Sequence, residues 1–327
     1  MALLAVIIAL ALGFDFLNGM NDSGNLVATV ISSGALSPRQ ALLTVAVAEF
    51  SGPFLFGTAV ATAIGKDIVR PHAISTDVVL VALCIAISWN LLALHLGMPS
   101  SSSHALVGGI VGATLGSGNY QMLQFGGLLK VITALLVAPV VGLVAGYMAM
   151  HGVLFLCRGA TPRINRFFKR AQIATSILLA LSHGTNDAQK AMGVITMALV
   201  AQGALPSFEV PFWVIVAAAA AISLGIVASG WRIIRTLGGK IYRIRPVHGF
   251  AIQSSAAGVI LGAALLGGPV STTQVVSSAI LGVGAAERLS KVRWGVAGRI
   301  VATWLTTIPA TIVLAAALRM ALALAGR

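Results

Sequence analysis

Two short stretches of the chain place an asparagine and an aspartate side by side within otherwise apolar runs. The first pair is Asn21 and Asp22, and the second, Asn186 and Asp187, lies 165 positions later. In the middle of a bilayer an ionised carboxylate costs roughly 3 kcal/mol, so a duplicated one predicts a substrate or ion site. Carboxylate and amide oxygens are hard ligands that suit a small cation. We therefore predict that Asn21, Asp22, Asn186 and Asp187 hold a coupling cation or a proton.

Two further motifs combine proline with a series of hydroxyl side chains. Gly97–His104 reads GMPSSSSH and Gly268–Gln274 reads GPVSTTQ, and an apolar run follows each. Proline, serine and threonine are typical of helix starts, whose free N–H groups and dipole attract anions. Serines in membrane helices also serve close packing, but two matched turns favour a binding site. The expected donors to a tetrahedral oxyanion are Ser101, Ser102, Ser103, Ser271, Thr272 and Thr273.

Other polar side chains flank these motifs. Lys190 lies about one helical turn after Asp187, so we keep two interpretations open: an ion pair with Asp187 or contact with the anion. Glu49 is a candidate for proton or cation coupling, and its alternative is a buried hydrogen bond to a neighbouring helix. His104 and His183 are expected to lie behind the ligands rather than to ligate. The remaining candidates for contact with the anion are Gln189 and Asn25.

The composition restricts the class of protein. Hydrophobic residues form 58% and charged residues 9% of the 327 positions, and the mean hydropathy is +0.97. A soluble domain carries roughly 25% charged residues, so we expect an all-α protein that crosses the lipid bilayer several times. The net charge of +13 comes mainly from short connections between apolar runs. This distribution is typical of membrane topology, and no nucleic-acid partner is expected.

The chain lacks the sequence patterns of membrane enzymes and of ATP-driven pumps. It contains no HExxH pair, no Gly-x-Ser-x-Gly elbow and no Walker loop. Its two cysteines, Cys84 and Cys157, lie in apolar segments and predict neither a disulfide nor a metal cluster. We therefore expect no catalysis and no cofactor apart from a coupling ion.

The motifs occur twice in the same order, which indicates an internal repeat. Asp22 and Asp187 are 165 positions apart, and Ser101 and Ser271 are 170 apart. Each repeat is expected to contain a helix broken at the Asn-Asp pair, a simple span (Ala41–Ile64 in the first repeat), a Pro-Ser hairpin and a last span. The polar turns favour re-entrant hairpins, although two full spans also satisfy the charge pattern. Either choice gives an odd number of crossings and hence two repeats of inverted topology. The predicted parts are 1–157, a basic cytoplasmic connector at 158–170, and 171–327.

Basic residues set the expected orientation in the membrane. Arg39 and three longer connections contain 15 of the 21 lysines and arginines, which places them on the cytoplasmic side. Both termini are then expected outside the inner or plasma membrane. The longer connections are Arg158–Arg170, Arg232–Arg245 and Arg288–Arg299.

These motifs resemble those of the inorganic phosphate transporter (Pit) family over nearly the whole chain. The likeness is carried by NGMNDSGNLVAT at Asn18–Thr29, SHGTNDAQKAMG at Ser182–Gly193 and the two Pro-Ser turns. It implies symport of phosphate with sodium or protons, alternating access and a homodimer. Gln274 stands where the family usually has histidine, and Ser102-Ser103 where many members have Thr-Thr.

The expected function is therefore import of inorganic phosphate together with a cation by a secondary active transporter. The main alternative is a sulfate–cation symporter, because the resemblance extends to sulfate carriers and both anions are tetrahedral. A passive anion channel fits the duplicated carboxylates less well. A membrane enzyme acting on phosphate esters would need a nucleophile and a base, and the sequence shows no such pair.

Overall fold

Helices make up nearly all of the computed structural model, which describes residues 2–70, 74–96, 100–240, 245–292 and 294–326. Six of the described helices are long and apolar enough to cross a membrane, and a bent pair forms a seventh candidate span. The prediction of an all-α polytopic membrane protein is confirmed. In chain order the helices are α1 (Ala2–Ser32), α2 (Pro38–Leu55), α3 (Ala59–Thr62), α4 (Thr76–His95), α5 (Ser102–Gly116), α6 (Phe125–Leu156), α7 (Ile164–Ala201), α8 (Phe212–Lys240), α9 (Pro246–Leu265), α10 (Thr272–Glu287) and α11 (Trp294–Leu324).

The two helices that carry the Asn-Asp pairs are continuous, so our prediction of a break in each was wrong. Both α1 and α7 remain helical through Asn18–Asn25 and Ser182–Gly193. Neither helix contains proline, and asparagine, aspartate and glycine each lower helix stability by only about 0.7–1 kcal/mol. Close packing against neighbouring helices offsets this cost. The polar side chains therefore project from intact helices.

The break lies instead in the span that was expected to be simple, at 41–64. There α2 and α3 meet at an angle of 70°. Pro53 removes one backbone donor, and Gly57 adopts a φ of 77°. Gln189 of α7 satisfies the freed backbone groups: it accepts from Ala61 N at 2.9 Å and donates to Gly57 O at 2.7 Å. A side chain of the second half thus holds the break in the first half.

Two helical hairpins carry the Pro-Ser turns between their arms, one formed by α4 and α5 and the other by α9 and α10. The second arms contain 15 and 16 residues. At 1.5 Å per residue each is about 22–24 Å long, less than the roughly 30 Å of a hydrocarbon core. Thr273 at the start of α10 contacts Asp22 in the middle of α1. The turn therefore lies at mid-length of a long helix, as predicted for a re-entrant hairpin; Gly97–Pro99 of the other turn lie outside the described residues.

Helices of one half pack on helices of the other half in reciprocal pairs. Gly184 of α7 lies against the backbone of Glu49 in α2. Gly19 of α1, 165 positions before Gly184, lies against the backbone of Ile222 in α8. Neither contact leaves room for a β-carbon, so glycine permits the close approach. In the same manner α5 packs on α11 and α6 packs on α10.

The paired helices run in the same direction. Along α7 and the α2–α3 segment, Thr185 lies against Gly52, and Gly193 lies against Ala61 further on in both. Because α1 and α2 are joined by the short turn 33–37, they are successive and oppositely directed. The corresponding contacts between α1 and α8 are Phe16 with Gly225 and Ser23 with Ser229.

Two predicted loop segments are partly helical. The start of α7 at Ile164 places the second part of the basic connector 158–170 within a helix. Likewise α8 continues to Lys240, into the segment Arg232–Arg245, of which 241–244 lie outside the described residues. Lysine and arginine are good helix formers, so a helix can continue beyond its apolar part.

Candidate functional site

The aspartates of the two halves converge on one buried histidine. His183 Nε2 of α7 lies 3.5 Å from Asp22 Oδ2 of α1 and 3.8 Å from Asp187 Oδ2 of α7. One ligand atom from each of the three residues lies within 4.8 Å of the others. Their exposed fractions are 1%, 5% and 0%. Two carboxylates and an imidazole with this spacing can surround a single cation.

Two further side chains fix the members of this cluster. Glu49 of α2 is fully buried, and its Oε1 lies 2.5 Å from His183 Nδ1. This bond orients the ring so that Nε2 points to the aspartates. Lys190 Nζ lies 2.7 Å from Asp187 Oδ2, one helical turn away. Of the two interpretations of Lys190, the ion pair is the one that the structure contains.

The start of α10 lies directly beside the carboxylates. Thr272 Oγ1 donates to Asp187 Oδ2 at 3.4 Å, and Thr273 Oγ1 donates to Asp22 Oδ1. Asn25 Nδ2 donates to the same Asp22 oxygen at 2.9 Å. The free N–H groups of a helix start thus lie next to a group of carboxylates, so an anion and a cation can be held side by side.

The two Pro-Ser turns meet. Ser103 Oγ at the start of α5 donates to Val270 O of the other turn at 2.9 Å. His104 Nδ1 lies 3.4 Å from Gln274 Nε2 and 2.7 Å from Ser101 Oγ. Ser101 Oγ also accepts from the backbone N–H of His104 at 3.2 Å, so this serine caps α5. The N-termini of α5 and α10 therefore lie close together in the protein interior.

The remaining hydroxyls of the turns differ in exposure. Ser271 and Thr272 are buried, and Ser102 and Thr273 are half-buried. Ser271 stands at the N-cap of α10 without a side-chain capping bond. Ser102 and Ser271 thus lie at the junction of the two helix starts, whereas the hydroxyls of Thr272 and Thr273 are engaged with the aspartates.

Three predicted ligands have other surroundings. Asn186 clamps the second turn, because its Nδ2 donates to Gly268 O at 3.3 Å and its Oδ1 accepts from Val270 N at 3.3 Å. Gln189 is engaged with the backbone at the α2–α3 break. Asn21 is exposed. A helix turns by about 100° per residue, so the residue next to a buried aspartate points elsewhere.

One buried acidic residue of this region was absent from our sequence predictions. Asp15 of α1 is fully buried, seven positions before Asp22. Asn18, between them, is also buried. Spacings of three and four residues place all three side chains on one helix face. This periodicity was visible in the sequence and would have identified Asp15.

One family model matches the chain twice, once in each half. A model of the phosphate transporter family covers residues 18–159 and again residues 156–315. Each matched segment contains one Asn-Asp pair and one Pro-Ser turn.

Similar proteins and a solved structure agree with this match. A "probable low-affinity inorganic phosphate transporter" of Bacillus subtilis is 44% identical over 315 residues, covering 95% of this chain and 94% of the relative. A protein of the same description from Mycobacterium bovis is 46% identical over 311 residues, covering 94% and 74%. The solved structure described as "the sodium-dependent phosphate transporter" superposes with a TM-score of 0.87 at 27% identity, covering 99% of this chain and 100% of that one. The chain thus belongs to the phosphate transporter family.

Proposed function

We propose that this protein imports inorganic phosphate by symport with a cation, either sodium or a proton, through alternating access to one mid-membrane site. The observation that carries the proposal is the convergence of Asp22, Asp187 and His183 beside the start of α10. Family membership supports phosphate as the anion. The solved structure of a sodium-dependent phosphate transporter supports coupling to a cation.

The phosphate is proposed to bind at the junction of the two Pro-Ser turns. Free N–H groups at the starts of α5 and α10, with the positive ends of their dipoles, attract an oxyanion. Lys190 and Asn25 lie at the edge of this junction through their contacts with Asp187 and Asp22. We leave Gln189 out of the set, because its amide is engaged elsewhere. The proposed hydroxyl donors are Ser102 and Ser271, together with Ser103, Thr272 and Thr273, which would exchange their present acceptors for phosphate, and Ser101 holds the start of α5.

The cation is proposed to bind between Asp22, Asp187 and His183. We leave Asn21 and Asn186 out of this set, since one is exposed and the other clamps a turn. A bound cation neutralises carboxylates that would otherwise repel phosphate. Each ion therefore lowers the free-energy cost of burying the other, and this mutual dependence couples their transport.

The inverted relation of the halves is supported by the direction of the helices. α7 runs parallel to α2–α3, and α2–α3 is directed opposite to α1. α7 is therefore directed opposite to α1, the helix that carries the matching Asn-Asp pair in the first repeat. A two-fold axis in the membrane plane places a central site where the halves meet, as alternating access requires.

The remaining parts of the proposal concern the surroundings of the protein. The basic connections place 15 of the 21 lysines and arginines on one side, so we propose that this side is cytoplasmic and that both termini lie outside. We further propose the plasma or inner membrane as the location and a homodimer as the assembly. The apolar faces of α6 and α11 leave many large side chains exposed, which suits contact with lipid or a second copy.

The test is uptake of labelled phosphate into proteoliposomes that carry a sodium gradient, a proton gradient or neither, each with and without excess sulfate. We expect accumulation above the external concentration with one of the two cation gradients, and no inhibition by sulfate. Strong inhibition by sulfate would move the anion assignment to a broader oxyanion carrier. Equilibration without either gradient would replace the symporter by a passive channel.

The site assignment is tested by Asp187→Asn, with Asp77→Asn as the matched control. Asp77 lies in the first turn of α4, away from the cluster. We expect Asp187→Asn to abolish gradient-driven uptake while the protein remains folded, because the cation loses a charged ligand and Lys190 loses its partner. Asp77→Asn should transport like the wild type. Normal uptake by the Asp187 variant would refute the assignment.

A further inference from the structure

Asp15 is a buried carboxylate that the proposed binding of phosphate and cation does not use. Its side chain has an exposed fraction of 0%. Neither of its two oxygens has a hydrogen-bond partner within the part of the chain that the structure describes. A buried ion without hydrogen bonds or a close opposite charge is strongly unfavourable. The side chain therefore needs a ligand that removes its charge.

The surrounding charges do not supply that ligand. Lys190, Asp187 and His183 of α7 and Glu49 of α2 act on Asp15 electrostatically. Lys190, the cation among them, forms its close pair with Asp187. In the part of α8 that packs on α1, Phe212–Ser229 contains no charged residue. On α4, α9 and α10, the other helices in contact with α1, the titratable side chains are Cys84 in the middle of α4, whose thiol cannot carry a positive charge, and Asp77, His95, His248 and Glu287 towards the helix ends.

The number of buried charges also indicates that a positive charge is missing near Asp15. Among the described residues of this region, four buried carboxylates, Asp15, Asp22, Glu49 and Asp187, are accompanied by one buried lysine, Lys190. If His183 is neutral, as a ligand of the proposed cation has to be, this leaves an excess of three negative charges before phosphate enters. One cation between Asp22, Asp187 and His183 does not neutralise this excess. A further positive charge is therefore required close to these groups.

The surroundings of Asp15 favour a proton over a metal ion as the missing positive charge. A metal cation needs several oxygen or nitrogen ligands around it. Among the described histidine, cysteine, aspartate and glutamate side chains, the group with metal-ligand spacing consists of Asp22, His183 and Asp187, and Asp15 is not part of it. Phe14, the preceding residue of the chain, and Ile222, which lies against Gly19 one turn further along α1, belong to a buried apolar cluster. A single carboxylate in such a place can bind a proton, which needs only one oxygen.

We propose that Asp15 is a proton-binding site, separate from the cation site of Asp22, Asp187 and His183, and that its proton is carried with each phosphate. The inference rests on the proposed symport and names one of its coupling ions. The step is an acid–base equilibrium: the Asp15 carboxylate takes up a proton from the outer side to become a neutral carboxyl, and releases it to the inner side as the conformation changes. Asn18 and Asp22 continue the same face of α1 towards the phosphate site, so the proton binds on the path between the N-terminal end of α1 and that site.

The test compares Asp15→Asn with the wild type in proteoliposomes. The variant keeps the size and polarity of the side chain and cannot hold the proton. Uptake of labelled phosphate and the internal pH, read from a trapped dye, are measured together at the same external pH, so that buffering by phosphate is equal in both samples. We expect one proton fewer per phosphate in the variant and a weaker dependence of uptake on the pH gradient. Exchange of external labelled phosphate for internal unlabelled phosphate should continue, and it shows that the variant is folded.

A second measurement does not depend on transport. Infrared spectra at neutral pH, in buffer without sodium or phosphate, should show the carbonyl band of a protonated carboxylic acid in the wild type. The difference between wild type and Asp15→Asn should contain this band, and the difference between wild type and Asp77→Asn should lack it. If Asp15→Asn also abolishes exchange, this band still decides the assignment.

The outcomes separate this inference from the proposed function. An unchanged proton-to-phosphate ratio in Asp15→Asn, or the absence of the band from its difference spectrum, would overturn the assignment. Accumulation by the wild type that is driven by sodium without proton entry would overturn it as well and leave the symport intact. Absence of accumulation by the wild type under both gradients would instead refute the proposed function.

Discussion

The two sides of the site are closed by different kinds of contact. Towards the basic side, side chains of α1, α7 and α9 form a buried polar network. Gln253 Nε2 of α9 donates to Thr29 Oγ1 of α1 at 2.6 Å, and Thr175 Oγ1 of α7 donates to Gln253 Oε1 at 2.7 Å. A second layer follows, in which Ser33 Oγ donates to Gln172 Oε1 at 2.5 Å and Gln172 Nε2 donates to Pro246 O at 3.0 Å.

The matching positions on the opposite side are apolar. The repeat spacing of 165 between α1 and α7 relates Thr29 to Val194, and the spacing of 170 between the hairpins relates Gln253 to Leu83. Both counterparts are buried in one apolar cluster of α1, α4 and α7. The same cluster contains Ile7 and Ala198, the counterparts of Gln172 and Ser33, and Leu10, the counterpart of Thr175, packs against it.

The polar network, which we call the polar closure, and the apolar cluster, which we call the apolar closure, therefore respond differently to water. When helices part on the polar side, water can replace each hydrogen bond, and the net loss is about 1 kcal/mol per bond. When they part on the apolar side, each exposed Leu, Ile or Val side chain costs roughly 1.5–3 kcal/mol. We therefore expect the basic side to hydrate more readily, although the halves share one architecture.

The largest loss of stability is expected when a polar residue is placed in the apolar closure. Leu83→Gln introduces the side chain that the other half carries at this position, but without its threonine partners. The fully buried site loses apolar packing and gains an amide without hydrogen bonds. We expect the free energy of unfolding in mixed micelles to fall by about 3–4 kcal/mol.

Two variants accompany this measurement. Leu83→Met conserves volume and apolar character, and it should cost less than about 1.5 kcal/mol. Leu83→Gln combined with Val194→Thr recreates one partner and should recover part of the loss. If Leu83→Gln is as stable as Leu83→Met, the apolar closure is not packed as we describe.

An intermediate loss of stability is expected at Gln253. Here we compare a change of Gln253 alone with a change of all three residues of the polar network, Thr29, Thr175 and Gln253. Gln253→Leu breaks two hydrogen bonds and leaves the hydroxyls of Thr29 and Thr175 without this partner, so we expect a loss of about 1–2 kcal/mol. Replacing all three residues, by Thr29→Val, Thr175→Val and Gln253→Leu, should restore stability because no buried polar group is left alone.

The triple variant should nevertheless transport more slowly, since the basic side would then open by exposing apolar surface. The measurements are initial rates of phosphate uptake and the reaction of a single cysteine near the site with a water-soluble thiol reagent, in a background without Cys84 and Cys157. Unchanged rates and unchanged labelling would show that this side does not limit transport.

Composition and the repeated motifs were sufficient to predict the membrane class and the two meeting turns. They failed where the partner of a residue comes from a distant part of the chain. Polar residues in α1 and α7 indicated breaks, yet the helices are intact because their polar groups bind across to other helices. The break in α2–α3 was missed although Pro53 and Gly57 were visible, because the bonds that support it come from Gln189.

The site was predicted at the level of motifs rather than of individual ligands. Asp22 and Asp187 were predicted to act together, and they lie on either side of His183. The adjacent asparagines were assigned to the same ligand, but neighbouring side chains of a helix point about 100° apart, and here Asn21 is exposed while Asn186 clamps a turn. His183 was placed behind the ligands, whereas its Nε2 lies between the carboxylates. Its orientation depends on Glu49 of another helix, and no local pattern contains that information.

The smallest loss of stability is expected when a single hydroxyl is removed from the polar closure. Thr175→Val removes one hydrogen bond to Gln253 and keeps the shape of the side chain, and bonds between membrane helices average about 0.6 kcal/mol. We expect a loss of this size and slightly slower uptake, because Gln253 keeps its bond to Thr29. The matched change in the other half, Leu10→Val, removes a methylene group from a partly buried position and should leave the access of water unchanged. A larger effect of Leu10→Val on thiol labelling than of Thr175→Val would mean that the apolar side hydrates more easily, which is the reverse of the order derived from the two closures.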